Sequence, residues 1–182
     1  MGEIENMRVQ SALLFLLALT LMPATVMGKE GRRMGDLKIT SSAFADKGAI
    51  PPRFTCDGQD MNPALAFGAP PIGTRSLALI VDDPDAPVGM WVHWVVWNIP
   101  PQTREIRENS VPAGACQGLN DWKRNRYGGP CPPSGTHRYF FKLYALDITL
   151  DLPATTTKTA LERAMEGHIL GRGQLMGTYR RH

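Results

Sequence analysis

Two histidines that stand beside rigid turns are the residues of this chain best suited to chemistry. His93 comes shortly after the acidic turn Asp82–Pro87, and His137 comes directly after the glycine- and proline-rich segment Gly128–Thr136. A histidine oriented by a carboxylate can donate a hydrogen bond to an anion, and glycines let backbone N–H groups approach a ligand closely. Because prolines supply no backbone donor, the number of donors is small. These residue types predict a pocket for one small, phosphate-sized anion.

Hydrophobic periodicity predicts strands on either side of these turns. Apolar character is continuous over residues 91–99, which is typical of a central strand covered on both faces. The period of two places four of its residues on one face: Trp91, His93, Val95 and Trp97. The apolar run over residues 77–81 predicts another strand, and residues 37–41 and 175–179 are predicted as lesser edge strands.

The alternating pattern over residues 137–147 predicts a further strand, with His137 and Tyr139 on its apolar face. If this strand and the one over residues 91–99 are neighbours, both histidines meet at one end of the sheet. The prolines of the acidic turn would bring the aspartates of residues 82–85 to the same end. We expect backbone N–H groups near Gly129 to provide the remaining donors.

One helix is predicted near the C-terminus. Thr159 and Glu162 form a capping-box pattern, and Gly171 is a stop signal. Fifteen prolines and eighteen glycines interrupt the chain at short intervals, as the many turns of an antiparallel sandwich require. The sequence therefore predicts a mainly β protein, an antiparallel β-sandwich with a few peripheral helices.

The N-terminal segment differs in composition from the rest of the chain. Arg8 precedes an apolar run over residues 11–22, and small residues follow up to Gly28. This order is typical of a secretory signal peptide, and the run is shorter than the ~20 residues that a membrane span needs. We expect a signal peptide over residues 1–28, a short linker over 29–36 and one domain over 37–182. An uncleaved anchor is the alternative; otherwise the protein is exported, periplasmic or secreted, without stable membrane insertion.

Charge and cysteine content narrow the possible partners. The formal net charge is +3, and no basic run is longer than Arg180-Arg181, so the sequence offers no electrostatic footprint for nucleic acid. The three cysteines lack C-x-x-C spacing, which disfavours a zinc site. In an oxidising compartment one pair can form a disulfide. Cys56 and Cys131, both in turn-rich loops near the predicted pocket, are the favoured pair, and three free thiols are the alternative.

The same side chains leave enzymatic interpretations open. Two histidines and a carboxylate, Asp83, can form a metal triad, or they can act as acid and base in a hydrolase. However, the sequence has neither H-x-D nor H-E-x-x-H spacing at these histidines, and it has no Gly-x-Ser-x-Gly elbow. Taken singly, each histidine is explained by core packing and the acidic segment by turn formation. The combination favours a binding protein without cofactor or metal, with a hydrolytic or metal-dependent enzyme as the alternative.

Six separated motifs occur in an order that is specific to one family. They are Phe54–Gly58 with Asn62-Pro63, Asp83–Pro87, His93–Pro100, Gly129–Pro133 with His137–Tyr139, Leu143–Asp147, and Gly167-His168 with Gly177–Tyr179. With these motifs the chain resembles the phosphatidylethanolamine-binding protein family, in its bacterial and archaeal branch of Raf-kinase-inhibitor-like proteins. The resemblance covers about residues 37–179.

The resemblance implies a β-sandwich with a small-anion pocket at one end. The positions that it assigns to this pocket are Asp83, Trp91, His93, Gly129, Pro130, His137 and Tyr139. Among them, Asp83 would hold one histidine in place, whereas Asp85 would shape the turn. The implied ligand is a phosphate-like anion or a phospholipid head group. The implied role is that of a binding or inhibitory module, acting on a kinase or a protease, and no catalytic activity comes with the motifs.

Overall fold

The computed structural model describes residues 35–181, and strands dominate this part of the chain. Long runs of valine, isoleucine, leucine and aromatic residues, which favour pleated backbone, form the longest of them. The strands are β1 (Gly35–Asp36), β2 (Ile39–Thr40), β3 (Leu65–Phe67), β4 (Ser76–Asp83), β5 (Trp91–Ile99), β6 (Glu105–Ile106), β7 (Cys116–Gln117), β8 (Thr136–Leu146) and β9 (Ile169–Arg180). The helical elements of this range are α1 (Lys158–Met165) and a single 3₁₀ turn, Pro52–Phe54. The predicted mainly β fold class is confirmed.

The predicted signal peptide, residues 1–28, and most of the predicted linker lie outside the described residues. Within residues 35–181, no helix is long and apolar enough to cross a membrane.

Two sheets enclose the main core. The larger sheet has the order β1-β9-β8-β4-β5-β7, and the smaller one has the order β2-β3-β6. Every pair is antiparallel except β1 with β9. Phe67 of β3 packs with Leu79 of β4 and Phe141 of β8 between the sheets. On the outer face of the larger sheet, Leu161 and Met165 of α1 cover a second apolar cluster. Each such side chain contributes ~1.5–3 kcal/mol when fully buried.

β5 is not the central strand that the sequence predicts. It lies between β4 and the two-residue strand β7, near the edge of the larger sheet. The long segment that follows β7 covers the rest of the free edge of β5, because Gly118, Asp121 and Gly128 donate backbone N–H groups to carbonyls of β5. This cover satisfies the edge without another strand. It also brings Gly128 next to His93, since the Gly128 N–H lies 3.0 Å from the His93 carbonyl oxygen.

A β-bulge at His93 determines where the side chains of β5 point. In the pairing with β4, His93 is an additional residue between two register pairs. Trp91 and His93 both line one cavity, whereas Val95 and Trp97 pack on the opposite face, against α1. The prediction that these four residues share one face is wrong, because a bulge shifts the alternation by one residue.

The ends of α1 differ from the predicted ones. Thr157, not Thr159, caps the helix, since its hydroxyl oxygen accepts the Ala160 N–H at 3.4 Å. Gly167, in the left-handed conformation at φ 79°, follows the helix end, and Gly171 lies within β9 instead. The turn chemistry is the expected one, but it acts at different residues.

β9 is a twelve-residue strand that pairs with β8 along its length, not the lesser edge strand predicted over residues 175–179. Its glycines interrupt the apolar pattern, so the pattern does not indicate the full length of the strand. Gly173 shows why a glycine is present, because a Cβ atom there would collide with the carbonyl oxygen of Leu37. The chain after β1 crosses β9 at this point, and only glycine leaves space for it.

Candidate functional site

A cavity of about 270 Å³ opens at the end of the larger sheet, where β4 runs into the acidic turn. Three polar side chains, Asp83, His93 and His137, line it together with a mainly apolar wall. The wall residues are Ala86, Pro87, Val88, Trp91, Trp122, Cys131, Pro132 and Pro133. A space of this size suits a ligand smaller than those of typical drug-sized pockets, which span ~300–1,000 Å³.

The two histidines reach this cavity from strands that are not neighbours. β4 lies between β5 and β8, and it supplies Asp83 between His93 and His137. β4 ends, and β5 and β8 begin, at the same end of the sheet, so the side chains converge although the two histidine strands are not neighbours.

Asp83 and His137 form a buried pair. Nδ1 of His137 lies 2.7 Å from Oδ2 of Asp83, and their side chains are 8% and 5% exposed. A carboxylate oxygen accepts, so Nδ1 is the donor and Nε2 remains available to a ligand. The other oxygen of Asp83 accepts the Asp85 N–H at 2.8 Å. Asp83 therefore fixes the orientation of His137 while the acidic turn holds Asp83.

His93 is held by a backbone carbonyl instead of a carboxylate. Its Nδ1 lies 2.7 Å from the Gly128 carbonyl oxygen, and the rings of Trp122 and Tyr139 meet its ring edge-on at 5.1 and 5.2 Å. The residue is 2% exposed. Burial lowers the pKa of His93, and this effect outweighs the Gly128 hydrogen bond and the nearby aspartates, which act in the opposite direction. His93 is therefore neutral at neutral pH.

Asp82 belongs to the other side of the sheet. The sequence groups it with the pocket acids, but alternation along β4 points it away from Asp83. Its side chain is fully buried, and its Oδ2 accepts from Lys142 Nζ at 2.8 Å and from Lys158 Nζ at 2.7 Å. Since Lys158 is the first residue of α1, Asp82 ties the helix to the sheet and takes no part in the cavity.

Asp85 fastens the acidic turn to β8. Nε and Nη2 of Arg138 donate to its two carboxylate oxygens at 2.9 and 2.7 Å, and the Arg138 backbone N–H donates to Oδ2 at 2.9 Å. These Arg138 hydrogen bonds lower the pKa of Asp85 to about 2. Asp85 thus shapes the turn, as the resemblance implies, whereas nothing in the sequence pattern identifies Arg138 as its partner.

We expect the free energy of unfolding of Asp85→Asn to depend less steeply on pH in the acid range than that of the wild type. The pKa of Asp85 is about 2 in the folded protein, below the ordinary aspartate value of 3.8. Its contribution to the free energy of unfolding is therefore present above the higher value and lost as pH falls towards the lower one. Urea unfolding at several acid pH values measures this slope. Asp151→Asn, at an exposed position, is the control, and an Asp85→Asn slope equal to that of the wild type would contradict the assignment.

Three residues that the sequence assigns to the pocket do not line the cavity but lie behind its wall. Gly129 donates its N–H to Oδ1 of Asp60 at 2.6 Å, and a Cβ atom there would collide with the Phe54 carbonyl oxygen. Pro130 accepts the Cys56 N–H at 3.1 Å. The Gly129 N–H is thus engaged by the protein, so Gly129 itself is not one of the backbone donors that the sequence predicts near this position. Tyr139 packs against His93, and burial, followed by the charge of Asp83, raises the pKa of its phenol.

A disulfide joins Cys56 to Cys131, the pair that the sequence favours, with the two sulfurs 2.08 Å apart. Cys131 and the two prolines after it form one wall of the cavity. The bridge therefore attaches this wall to the loop that follows the 3₁₀ turn. Cys116 is a free, exposed cysteine in the edge strand β7.

Trp122 is a wall residue that the sequence analysis missed. It lines the cavity and meets the ring of Trp91 edge-on at 5.3 Å. It lies in the long irregular segment after β7, where no periodicity predicts the direction of a side chain. The available signal was a large aromatic residue in an otherwise polar, glycine-rich loop.

Among residues 35–181, no group of three or more His, Cys, Asp or Glu side chains is arranged to hold a metal ion.

The sequence profile described as phosphatidylethanolamine-binding protein matches residues 40–180. The chain belongs to the phosphatidylethanolamine-binding protein family. A UPF0098 protein of Methanothermobacter thermautotrophicus is 50% identical over 150 residues, which are 80% of this chain and 99% of the relative. A UPF0098 protein of Aquifex aeolicus is 45% identical over 152 residues, covering 80% and 89%. The resemblance inferred from the six motifs is confirmed.

Solved structures of this family share the fold. CT736 of Chlamydia trachomatis, described as a homologue of phosphatidylethanolamine-binding protein, superposes with a TM-score of 0.78 at 40% identity. The match covers 81% of this chain and 99% of CT736. YbcL of E. coli superposes with a TM-score of 0.76 at 27% identity, covering 81% and 100%. Membership in this family supports a binding-type protein.

Proposed function

We propose that this protein binds a small phosphate-like anion, free or as the head group of a larger molecule, in the cavity at the end of the sandwich. One observation carries the proposal: His137, buried and oriented by Asp83, keeps its Nε2 available at a cavity of about 270 Å³. A protonated His137 donates a charge-assisted hydrogen bond, worth ~1.5–3 kcal/mol. The surrounding tryptophans and prolines exclude water and strengthen that bond.

Binding is favoured over hydrolysis through a covalent intermediate by what the cavity wall contains. An aspartate–histidine pair can serve as a general base, but nucleophilic catalysis also needs an activated hydroxyl or thiol. Cys131, the sulfur on this wall, is bonded to Cys56 and cannot attack a substrate. We therefore propose a binding or inhibitory module, in which the bound group belongs to a phospholipid or to a protein partner.

We also propose that the protein acts outside the cytoplasm, in the periplasm or as a secreted protein. The disulfide supports this location, because such bonds persist mainly in oxidising compartments. Fractionation of cells, with the mass of the mature N-terminus, tests it. Full-length protein recovered in the cytoplasm would contradict the proposal.

An NMR titration of the isotope-labelled protein with inorganic phosphate and with phosphorylethanolamine tests the anion site. We expect concentration-dependent shifts of the His137 and His93 rings and of the Trp91 indole, since all three side chains line the cavity. Shifts with phosphorylethanolamine but not with phosphate would indicate that the ethanolamine group is required. No shift at these rings with either ligand would contradict the proposed function.

A further inference from the structure

We infer that this cavity selects anions that carry a proton, such as hydrogen phosphate or a singly protonated phosphate monoester, over fully ionised tetrahedral anions such as sulfate. His93 is the residue that determines this specificity. The inference rests on the proposed function, because it concerns the chemical form of the anion that the cavity binds.

The first step is the direction of the hydrogen bond between His93 and Gly128. A carbonyl oxygen cannot donate, so the 2.7 Å contact requires a proton on Nδ1 of His93. The Gly128 carbonyl is itself fixed, since the N–H of the same residue donates to the His93 carbonyl at 3.0 Å. In a neutral ring with its proton on Nδ1, Nε2 has a lone pair and acts as an acceptor.

The second step is that His93 stays neutral. Asp82, Asp83 and Asp121 are the charged groups that act on it, and each favours its protonated form. Burial opposes them and dominates, because a charged imidazole would lose nearly all of its hydration at this position. Trp122 and Tyr139 pack edge-on against the ring with uncharged side chains.

The third step is that the two histidines then have opposite polarity. Nε2 of His137 donates when that ring is protonated, whereas Nε2 of His93 accepts. Among residues 35–181, the hydrogen bond shown for the His93 side chain is that of Nδ1 with the Gly128 carbonyl, and His93 lines the cavity. An anion that satisfies both rings must offer an oxygen lone pair to His137 and an O–H to His93.

Phosphate meets this requirement and sulfate does not. Inorganic phosphate keeps at least one proton at neutral pH, and a phosphate monoester keeps one below its second pKa of ~6. Sulfate is nearly the same size but carries no proton under these conditions. One of its oxygens would face the lone pair of His93 Nε2, and a buried acceptor would be left without a donor. A site built to receive a hydroxyl group rejects an analogue that lacks it.

The test compares inorganic phosphate with sulfate, titrated calorimetrically into the full chain at about pH 7 and matched ionic strength. We expect phosphate to bind at least ~10-fold more tightly. In His93→Gln the side-chain amide can present N–H groups, so the preference for phosphate should shrink to within ~3-fold. His168→Gln, at a histidine paired with Asp147 away from this cavity, should keep the wild-type preference.

The protonation state of His93 gives a readout that needs no variant. The ¹⁵N resonance of His93 Nε2 should be that of an unprotonated nitrogen in the free protein, and it should move when phosphate donates to it. Equal affinity for phosphate and sulfate, or a protonated Nε2 in the free protein, would overturn the inference and leave anion binding intact. Binding of neither anion would overturn the proposed function itself, so the two failures are distinguishable.

Discussion

His137→Ala is expected to weaken the binding of inorganic phosphate by about 10- to 150-fold. The figure corresponds to the ~1.5–3 kcal/mol of one charge-assisted hydrogen bond, at 1.36 kcal/mol for each factor of ten. The loss should lie towards the upper end, because removal of the ring also leaves the Asp83 carboxylate in the cavity without its partner. An unpaired carboxylate there would repel an incoming anion.

The control is His168→Ala, measured by the same phosphate titration. His168 also pairs with an aspartate, since its Nδ1 lies 2.9 Å from Oδ1 of Asp147, but its side chain is 43% exposed and does not line this cavity. We expect its affinity to stay within ~2-fold of the wild type. If His137→Ala remains folded and binds phosphate as the wild type does, His137 is not a ligand-binding residue.

Loss of the disulfide is expected to lower the free energy of unfolding by about 4.5 kcal/mol. The bond closes a loop of 75 residues, and the chain-entropy relation for a loop of this length gives this figure. Cys56→Ser combined with Cys131→Ser makes the change without altering the volume much. Urea unfolding measures this loss of stability as a lower transition midpoint. The slope of the transition also reports on the unfolded chain, which is more expanded without the disulfide.

Cys116→Ser is the matched control, because Cys116 is exposed and free. We expect it to unfold within ~0.5 kcal/mol of the wild type. The double variant should also bind phosphate more weakly, since Cys131 and the following prolines form a cavity wall that the bond attaches to Cys56. A double variant as stable as Cys116→Ser would show that the loop is closed by its other contacts.

The elements that local patterns predicted best are the ones that hold the polar centre of the site. β4 and β8 are long, and their apolar residues follow regular patterns, so the face carrying His137, Tyr139 and Phe141 was predictable. The pairing of His137 with Asp83 follows from the ends of these strands.

The rest depends on contacts between distant segments. The bulge at His93 arises from pairing with β4, and the length of β9 depends on glycines that admit the chain after β1. A glycine also does not reveal which acceptor its N–H will meet, and for Gly129 it is Asp60, 69 residues earlier in the chain. The partners of the Asp85–Arg138 ion pair are 53 residues apart, so local patterns could not predict this pair either.

The two adjacent aspartates of β4 have a consequence for how the chain chooses among alternative strand pairings. Asp82 needs the ammonium groups of Lys142 and Lys158, and Asp83 needs the imidazole of His137. A shift of β4 by one residue would exchange the two faces. Each acid would then lose its side-chain partners and remain buried, which is strongly unfavourable. We therefore expect these acids to disfavour shifted pairings of β4 during folding. The apolar residues of β4 alone would tolerate such shifts.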